Sequence, residues 1–278
     1  MATEILVPSL ESTASEPREA TDLRRHVVSS DLLGGERQII VFVPEGYEGS
    51  NDADPERRYP VLYLQDGQNL FDPTTSYVPG KDWRVDQTAQ QLIRDNKIQP
   101  LIVVGIYHAG EQRVDEYTPT RDSKRNGGKA ETYLRALVEV IKPFIDAEYR
   151  TQADPWNTAL GGSSLGGLFT LHAAIEHPEI FGKLAAMSPS VWWDRRYIVR
   201  EVKQLELKPR QSIWLDIGTG EGRDTVGDTR ALRNALIAKG WNENVDLRYV
   251  EAEGAIHDEA AWAARVGPML EFLFPVTM

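Results

Sequence analysis

Residues 160–171 read LGGSSLGGLFTL, four glycines around two serines with an apolar run close behind. Such a stretch suits a flexible linker, a phosphate-cradling loop or a strained turn that presents one serine. A linker is disfavoured because apolar runs continue on both sides. A phosphate loop would end in Gly-Lys-Ser/Thr, and this segment holds no lysine. What remains is Gly162-Ser163-Ser164-Leu165-Gly166, a G-x-S-x-G pattern centred on Ser164. WNTALGG (156–162) reads as a strand before it, and SLGGLFTLHAAIEH (164–177) as a helix that Pro178 follows. A strand turning sharply into a helix forces its apex into strained dihedrals, and small residues two positions either side let the backbones approach. Ser164 is therefore expected to stand clear at the sheet's C-terminal edge, beside the positive end of a helix. Ser163 is expected to serve the turn.

Outward from this turn, strands and helices alternate. RQIIVFVP (37–44), YPVLYLQD (59–66) and LIVVGIY (101–107) are short apolar runs of strand character, the last continuous enough to be buried on both faces. VDQTAQQLIRDN (85–96) has helical spacing, as does a longer pattern from Ala130 to Tyr149 that Pro143 interrupts. KLAAMS (183–188), SIWLDIG (212–218) and VDLRYVEA (245–252) supply three more strands. DTRALRNALIAKG (228–240) and a stretch from Asp258 to Leu273 supply helices. Such alternation implies βαβ units and a mostly parallel sheet. Residues 1–22 are polar and are expected to form a flexible N-terminal arm, with residues 23–278 as a single domain.

Composition narrows the function. The 278 residues are 41% hydrophobic and 26% charged, with a net charge of −11. That acidity argues against nucleic acid or an anionic membrane as partner. With no cysteine, disulfides, thiolate metal sites and a cysteine nucleophile are excluded. The N-terminal segment is not a signal peptide and no run reaches the roughly 20 apolar residues of a membrane span, so a cytoplasmic location is expected.

A serine nucleophile needs a base. Of five histidines, His26 falls in an N-terminal strand, while His172 and His177 lie on or at the end of the helix behind Ser164. His108 follows a strand at the edge where active sites gather and is a secondary candidate. His257, in EAEGAIHDEAAW after the last strand, holds the place of the histidine in the chain order Ser, acid, His. For the acid, SIWLDIGTGEGRD offers Glu221 at the strand tip, with Asp224 just beyond and Asp216 inside the strand. Glu221 is preferred and Asp224 stays open. An oxyanion hole requires two main-chain donors, expected from Leu165 and from Gly67 and Gln68 in YLQDGQNLFDP.

Taken together, YPVLYLQDGQNLFD, GGSSLGGLFTLHAAIEHPEIFGKLAAMSPSVWW, LDIGTGE and the late His-Asp before a tryptophan resemble an esterase family of α/β-hydrolases. That family includes enterochelin (ferric siderophore) esterases, feruloyl and acetylxylan esterases and S-formylglutathione hydrolases. The resemblance covers roughly residues 35–275 and is nearest to the enterochelin-esterase-like branch. It implies an α/β-hydrolase fold with about eight strands and helices on both faces. It also implies a small-molecule ester as substrate, and neither metal nor organic cofactor. Ser164 carries over as nucleophile, Glu221 as acid and His257 as base. Trp192, Trp193 and Arg113 carry over as substrate-pocket positions.

Overall fold

The computed structural model describes residues 18–48 and 54–276. Most of the expected N-terminal arm lies outside those residues. At its described end Arg18 pairs with Asp82, and the Glu19 amide donates to Gln87.

Eight strands form one sheet: β1 (Asp22–Ser30), β2 (Gly35–Val43), β3 (Val61–Gln65), β4 (Ile102–Ile106), β5 (Thr158–Ser163), β6 (Lys183–Met187), β7 (Ser212–Gly218) and β8 (Leu247–Ala252). Their order across the sheet is β1-β2-β4-β3-β5-β6-β7-β8. β2 runs antiparallel to β1 and β4, and from β4 to β8 every pair is parallel. The helices are α1 (Val85–Arg94), α2 (Arg113–Tyr117), α3 (Ala130–Ala136), α4 (Lys142–Glu148), α5 (Leu165–Glu176), α6 (Trp193–Gln204), α7 (Arg223–Ala238) and α8 (Glu259–Leu273).

The period-two alternation of buried strands builds two cores. Val61 and Tyr63 of β3 enter one, with Leu134 of α3, Phe169 of α5, Ile198 of α6 and Leu232 of α7. Leu62 and Leu64 enter the other, with Val85 of α1 and Trp262 and Val266 of α8. Helices therefore cover both faces, as continuous apolar strands require. The single helix read over residues 130–149 is divided by a π-helical turn, Leu137–Ile141. The wider turn sets Pro143 at the second position of α4, where its missing N–H costs no intrahelical bond. Among the described residues no helix is long and apolar enough to cross a membrane.

This strand order positions the site. After β3 the chain steps outward to β4, then returns across β3 to β5, so the connections diverge between β3 and β5. Crevices outside the carboxyl ends of strands form at such switch points. Asp66 and Gly67 leave β3 there, opposite Ser164 leaving β5.

Candidate active site

Ser164 sits between β5 and α5 at φ 57° and ψ −121°, a region L-residues rarely occupy. Main-chain bonds hold it there. Its N–H donates to the Met187 carbonyl (3.0 Å), and its own carbonyl accepts from Leu168 (3.1 Å) and Ser190 (2.9 Å). The flanking glycines answer to space: a Cβ on Gly162 would lie 2.9 Å from the Gly166 carbonyl carbon and 3.0 Å from Gln65 Cβ. Ser163 is buried at the end of β5.

His257 meets this serine from the loop between β8 and α8. Its Nε2 is 3.0 Å from Ser164 Oγ, and its Nδ1 is 2.6 Å from Glu221 Oε2. With Nδ1–H donating to the carboxylate, Nε2 is free to accept the serine proton. Trp262 backs the imidazole edge-on at 4.9 Å. Asp258 fixes the loop as N-cap of α8, accepting from the Ala261 N–H (2.9 Å) and from Lys81 Nζ (2.9 Å). The acid loop is fastened to the histidine loop, since the Gly220 N–H donates to the Ala255 carbonyl and the Gly254 N–H to Thr219 Oγ1. A Cβ on Gly218 would come within 2.2 Å of the Ala255 carbonyl oxygen, so the approach needs glycine.

The Glu221 side chain is 1% exposed. Burial pushes its carboxyl up, but donated bonds from His257, Ser188 and the Gly218 N–H outweigh it and hold the group below the usual range. Asp224 is exposed in the first turn of α7, and Asp216 is buried behind the site against Arg265. The geometry thus brings Glu221, not Asp224, to the imidazole.

In front of Ser164 and His257 lies a cleft of about 720 Å³, bordered also by Asp66, Gln68, Tyr77, Val78, His108, Arg113, Glu259 and Trp262. Asp66 turns the chain into it at φ 58°. Among the described residues the N–H groups of Gln68 and Leu165 have no hydrogen-bond partner. A pair of free amides on either side of a nucleophile can hold developing negative charge on an oxygen. No group of three or more His, Asp or Glu among the described residues is arranged to hold a metal ion.

Arg113 reaches the cleft wall but is taken by Asp66 through Nε–Oδ1 and Nη2–Oδ2 bonds of 2.7 Å each. Its sequence neighbours Asp115 and Glu116 pair instead with Lys129 and Arg37. Of the two tryptophans expected at the pocket, neither borders the cleft. Trp193 is buried in the core, where its indole N–H donates to the Thr120 carbonyl (3.0 Å), and Trp192 packs under the Arg125 guanidinium. His108 borders the cleft, its Nδ1 accepting from the Gly110 N–H, and burial lowers its pKa. His26 bonds to Tyr149, His177 to Glu179, and His172 is buried in α5.

Several contributors escaped the sequence reading. Tyr77 and Trp262 wall the cleft, and the spacing of Trp262 five residues after His257 was a signal for it. Ser188 and Ser190 brace Glu221 and Ser164 from the SPS turn after β6.

Comparison with known proteins agrees with this architecture. A family model described as "Putative esterase" matches residues 30–273. An endo-1,4-beta-xylanase/feruloyl esterase of Xylanibacter ruminicola is 30% identical over 88% of this chain, which spans 30% of that protein. The ferri-bacillibactin esterase BesA of Bacillus subtilis is 31% identical over 60% of this chain and 61% of its own. Among solved structures, the BES protein from Bacillus cereus superposes with a TM-score of 0.73 at 23% identity, covering 96% of this chain and 100% of that one. With nearly all of its sheet inside the matched segment, the chain belongs to that esterase family, an enzyme of the α/β-hydrolase fold that acts on ester bonds.

Proposed function

We propose that the chain is a serine carboxylic-ester hydrolase working through an acyl-enzyme. Ser164 Oγ attacks the ester carbonyl carbon while His257 Nε2 takes its proton. Glu221 keeps the proton-bearing Nδ1 oriented and stabilises the imidazolium. The carbonyl oxygen, now negative, sits between the N–H of Leu165 and that of the Gly67–Gln68 turn. Collapse of the tetrahedral species expels the alcohol, which receives the proton from His257. Water then attacks the acyl-Ser164 carbonyl, with His257 again as base, and releases the acid. The observation that carries this reading is the 3.0 Å and 2.6 Å hydrogen-bonded chain from Ser164 through His257 to Glu221, open to the cleft.

The substrate class follows from the names of the relatives together with the cleft wall. Siderophore esterases and a feruloyl esterase are among them, and the exposed ring of Tyr77 offers aromatic surface to a phenolic ring. The reading is enterochelin-esterase-like. The broader coverage of the feruloyl esterase, 88% of this chain, favours a feruloyl or acetyl-carbohydrate ester as the second reading. Acyl transfer to an alcohol is the variant of the same chemistry, detected as a new ester when acceptor alcohols are added. Hydrolysis takes place in the cytoplasm and needs no cofactor in this scheme.

A panel of short p-nitrophenyl esters, methyl ferulate, acetylated xylan oligomers and a catecholate trilactone tests both levels. A pre-steady-state burst of one equivalent of p-nitrophenol per chain is expected. Hydrolysis without a burst and unaffected by Ser164→Ala would overturn the acyl-enzyme.

A further inference from the structure

Behind Glu221 lies a chain of buried polar groups that a two-residue acid–base relay does not require. Glu221 Oε1, the oxygen turned away from His257, accepts from Ser188 Oγ at 2.5 Å and from the Gly218 N–H at 2.9 Å. Ser188 Oγ in turn accepts from Arg265 Nη2 at 2.9 Å. Arg265, on the last helix α8, lies with Nε 3.2 Å from Asp216 Oδ1. The same Asp216 oxygen accepts the Ser188 N–H at 3.0 Å, and Oδ2 accepts from Trp214 Nε1 at 2.7 Å. Ser188, Asp216 and Arg265 are all at most 2% exposed. Ser188 is held at φ 41°, a strained conformation for a residue with a side chain.

A fully desolvated Arg–Asp pair is a poor source of stability, because desolvation offsets much of its attraction. Its directionality is what it offers here. Arg265 donates into Ser188 Oγ, which leaves the hydroxyl proton one direction to point, at Glu221. We propose that Ser188 and Arg265 are positioning residues, locking the Glu221 carboxylate ionised and in plane with the imidazole. This rests on the reading of Ser164, His257 and Glu221 given above. Asp216 fixes both from behind, through the Ser188 N–H and the guanidinium. Among the described residues, Glu221 is faced by His257 from the β8–α8 loop and by Ser188 from the end of β6, with Arg265 of α8 behind Ser188. Asp216 and the Gly218 N–H face it from β7. One cation, Arg265, offsets the second buried carboxylate, so that Glu221 need not bind a proton to share the space with Asp216.

The test is Ser188→Ala, alone and with Glu221→Gln. Loss of the donor is expected to lower kcat roughly 10- to 100-fold with KM changed less than about twofold. The acid limb of the kcat/KM profile should move to higher pH, because a carboxylate that has lost a donor is more basic and stabilises the imidazolium further. In the Glu221→Gln background, Ser188→Ala should add almost nothing, since both act through one link. Arg265→Lys, which keeps the charge and loses the fork, asks the same question if Ser188→Ala fails to fold, and should shift the limb in the same direction. A wild-type profile in the folded variant, or an equal loss with and without Glu221→Gln, would overturn the proposal. If Glu221→Gln itself is unimpaired, the failure lies in the acid assignment instead.

Discussion

At the scale of single residues, the separation of Glu221 from Asp224 is a matter of where each carboxylate can go. Glu221 is buried and spends one oxygen on His257 and the other on Ser188 and Gly218. Asp224, three residues on, faces solvent. Glu221→Gln presents an amide where Nδ1–H must donate, and kcat is expected to fall roughly 10³- to 10⁴-fold. Asp224→Asn should leave kcat within about twofold; steady-state kinetics of both on p-nitrophenyl acetate would reverse the assignment if the losses were exchanged. Arg113 shows the converse limit of residue identity. A cation beside a cleft reads as an anion binder, yet its fork is already occupied by Asp66.

At the scale of elements, the glycines are where local sequence and tertiary structure agree most closely. The G-x-S-x-G turn and the GTGE loop were both legible because glycine at a strand end marks a close approach. A Cβ on Gly218 would collide with the loop that carries His257. Gly218→Ala is expected to cost about 1–3 kcal/mol of stability and to lower kcat by pulling Glu221 away from the imidazole. Thermal melts together with turnover check this, and an unchanged melting temperature would contradict it. Strand and helix placement followed from period-two and 3.6-residue patterns, and β3 to β8 fall within a few residues of their expected limits. Helix α6 was not foreseen. It is strongly charged, and Asp194, Arg195 and Arg196 at its start lie in left-handed backbone. What periodicity could not reach were partners far apart in the chain. Ser188 and Arg265 meet across 77 residues, and nothing local in SPSVWW or EAAWAARVG says so. The placement of Trp193 has the same origin, since its indole N–H finds the Thr120 carbonyl of a loop 73 residues earlier.

At the scale of the whole molecule, pH acts on stability through buried groups as well as on the proposed Ser164–His257–Glu221 chain. His172 on α5 is buried, with Nδ1 unpartnered among the described residues, and burial pushes its pKa down to about 4. The unfolded chain takes up this proton near the ordinary value of about 6.5. Between those values the unfolded state binds more protons, so stability is fully present above about 6.5 and falls by roughly 3 kcal/mol towards pH 4. Glu221, lowered instead, contributes stability that is fully present above the ordinary carboxylate value and is lost as pH falls from there through its depressed value. His172→Gln is expected to flatten the fall in melting temperature between pH 6.5 and 4; an identical slope would contradict the assignment.

The fold, the diverging connections after β3 and the two fastened loops all converge on one oxygen atom, Ser164 Oγ. Labelling with a fluorophosphonate probe, followed by peptide mass mapping, tests that convergence most directly. One adduct per chain is expected, on Ser164, with labelling abolished in Ser164→Ala and strongly slowed in Glu221→Gln. An active wild-type enzyme that takes no label, or carries it on another residue, would contradict it.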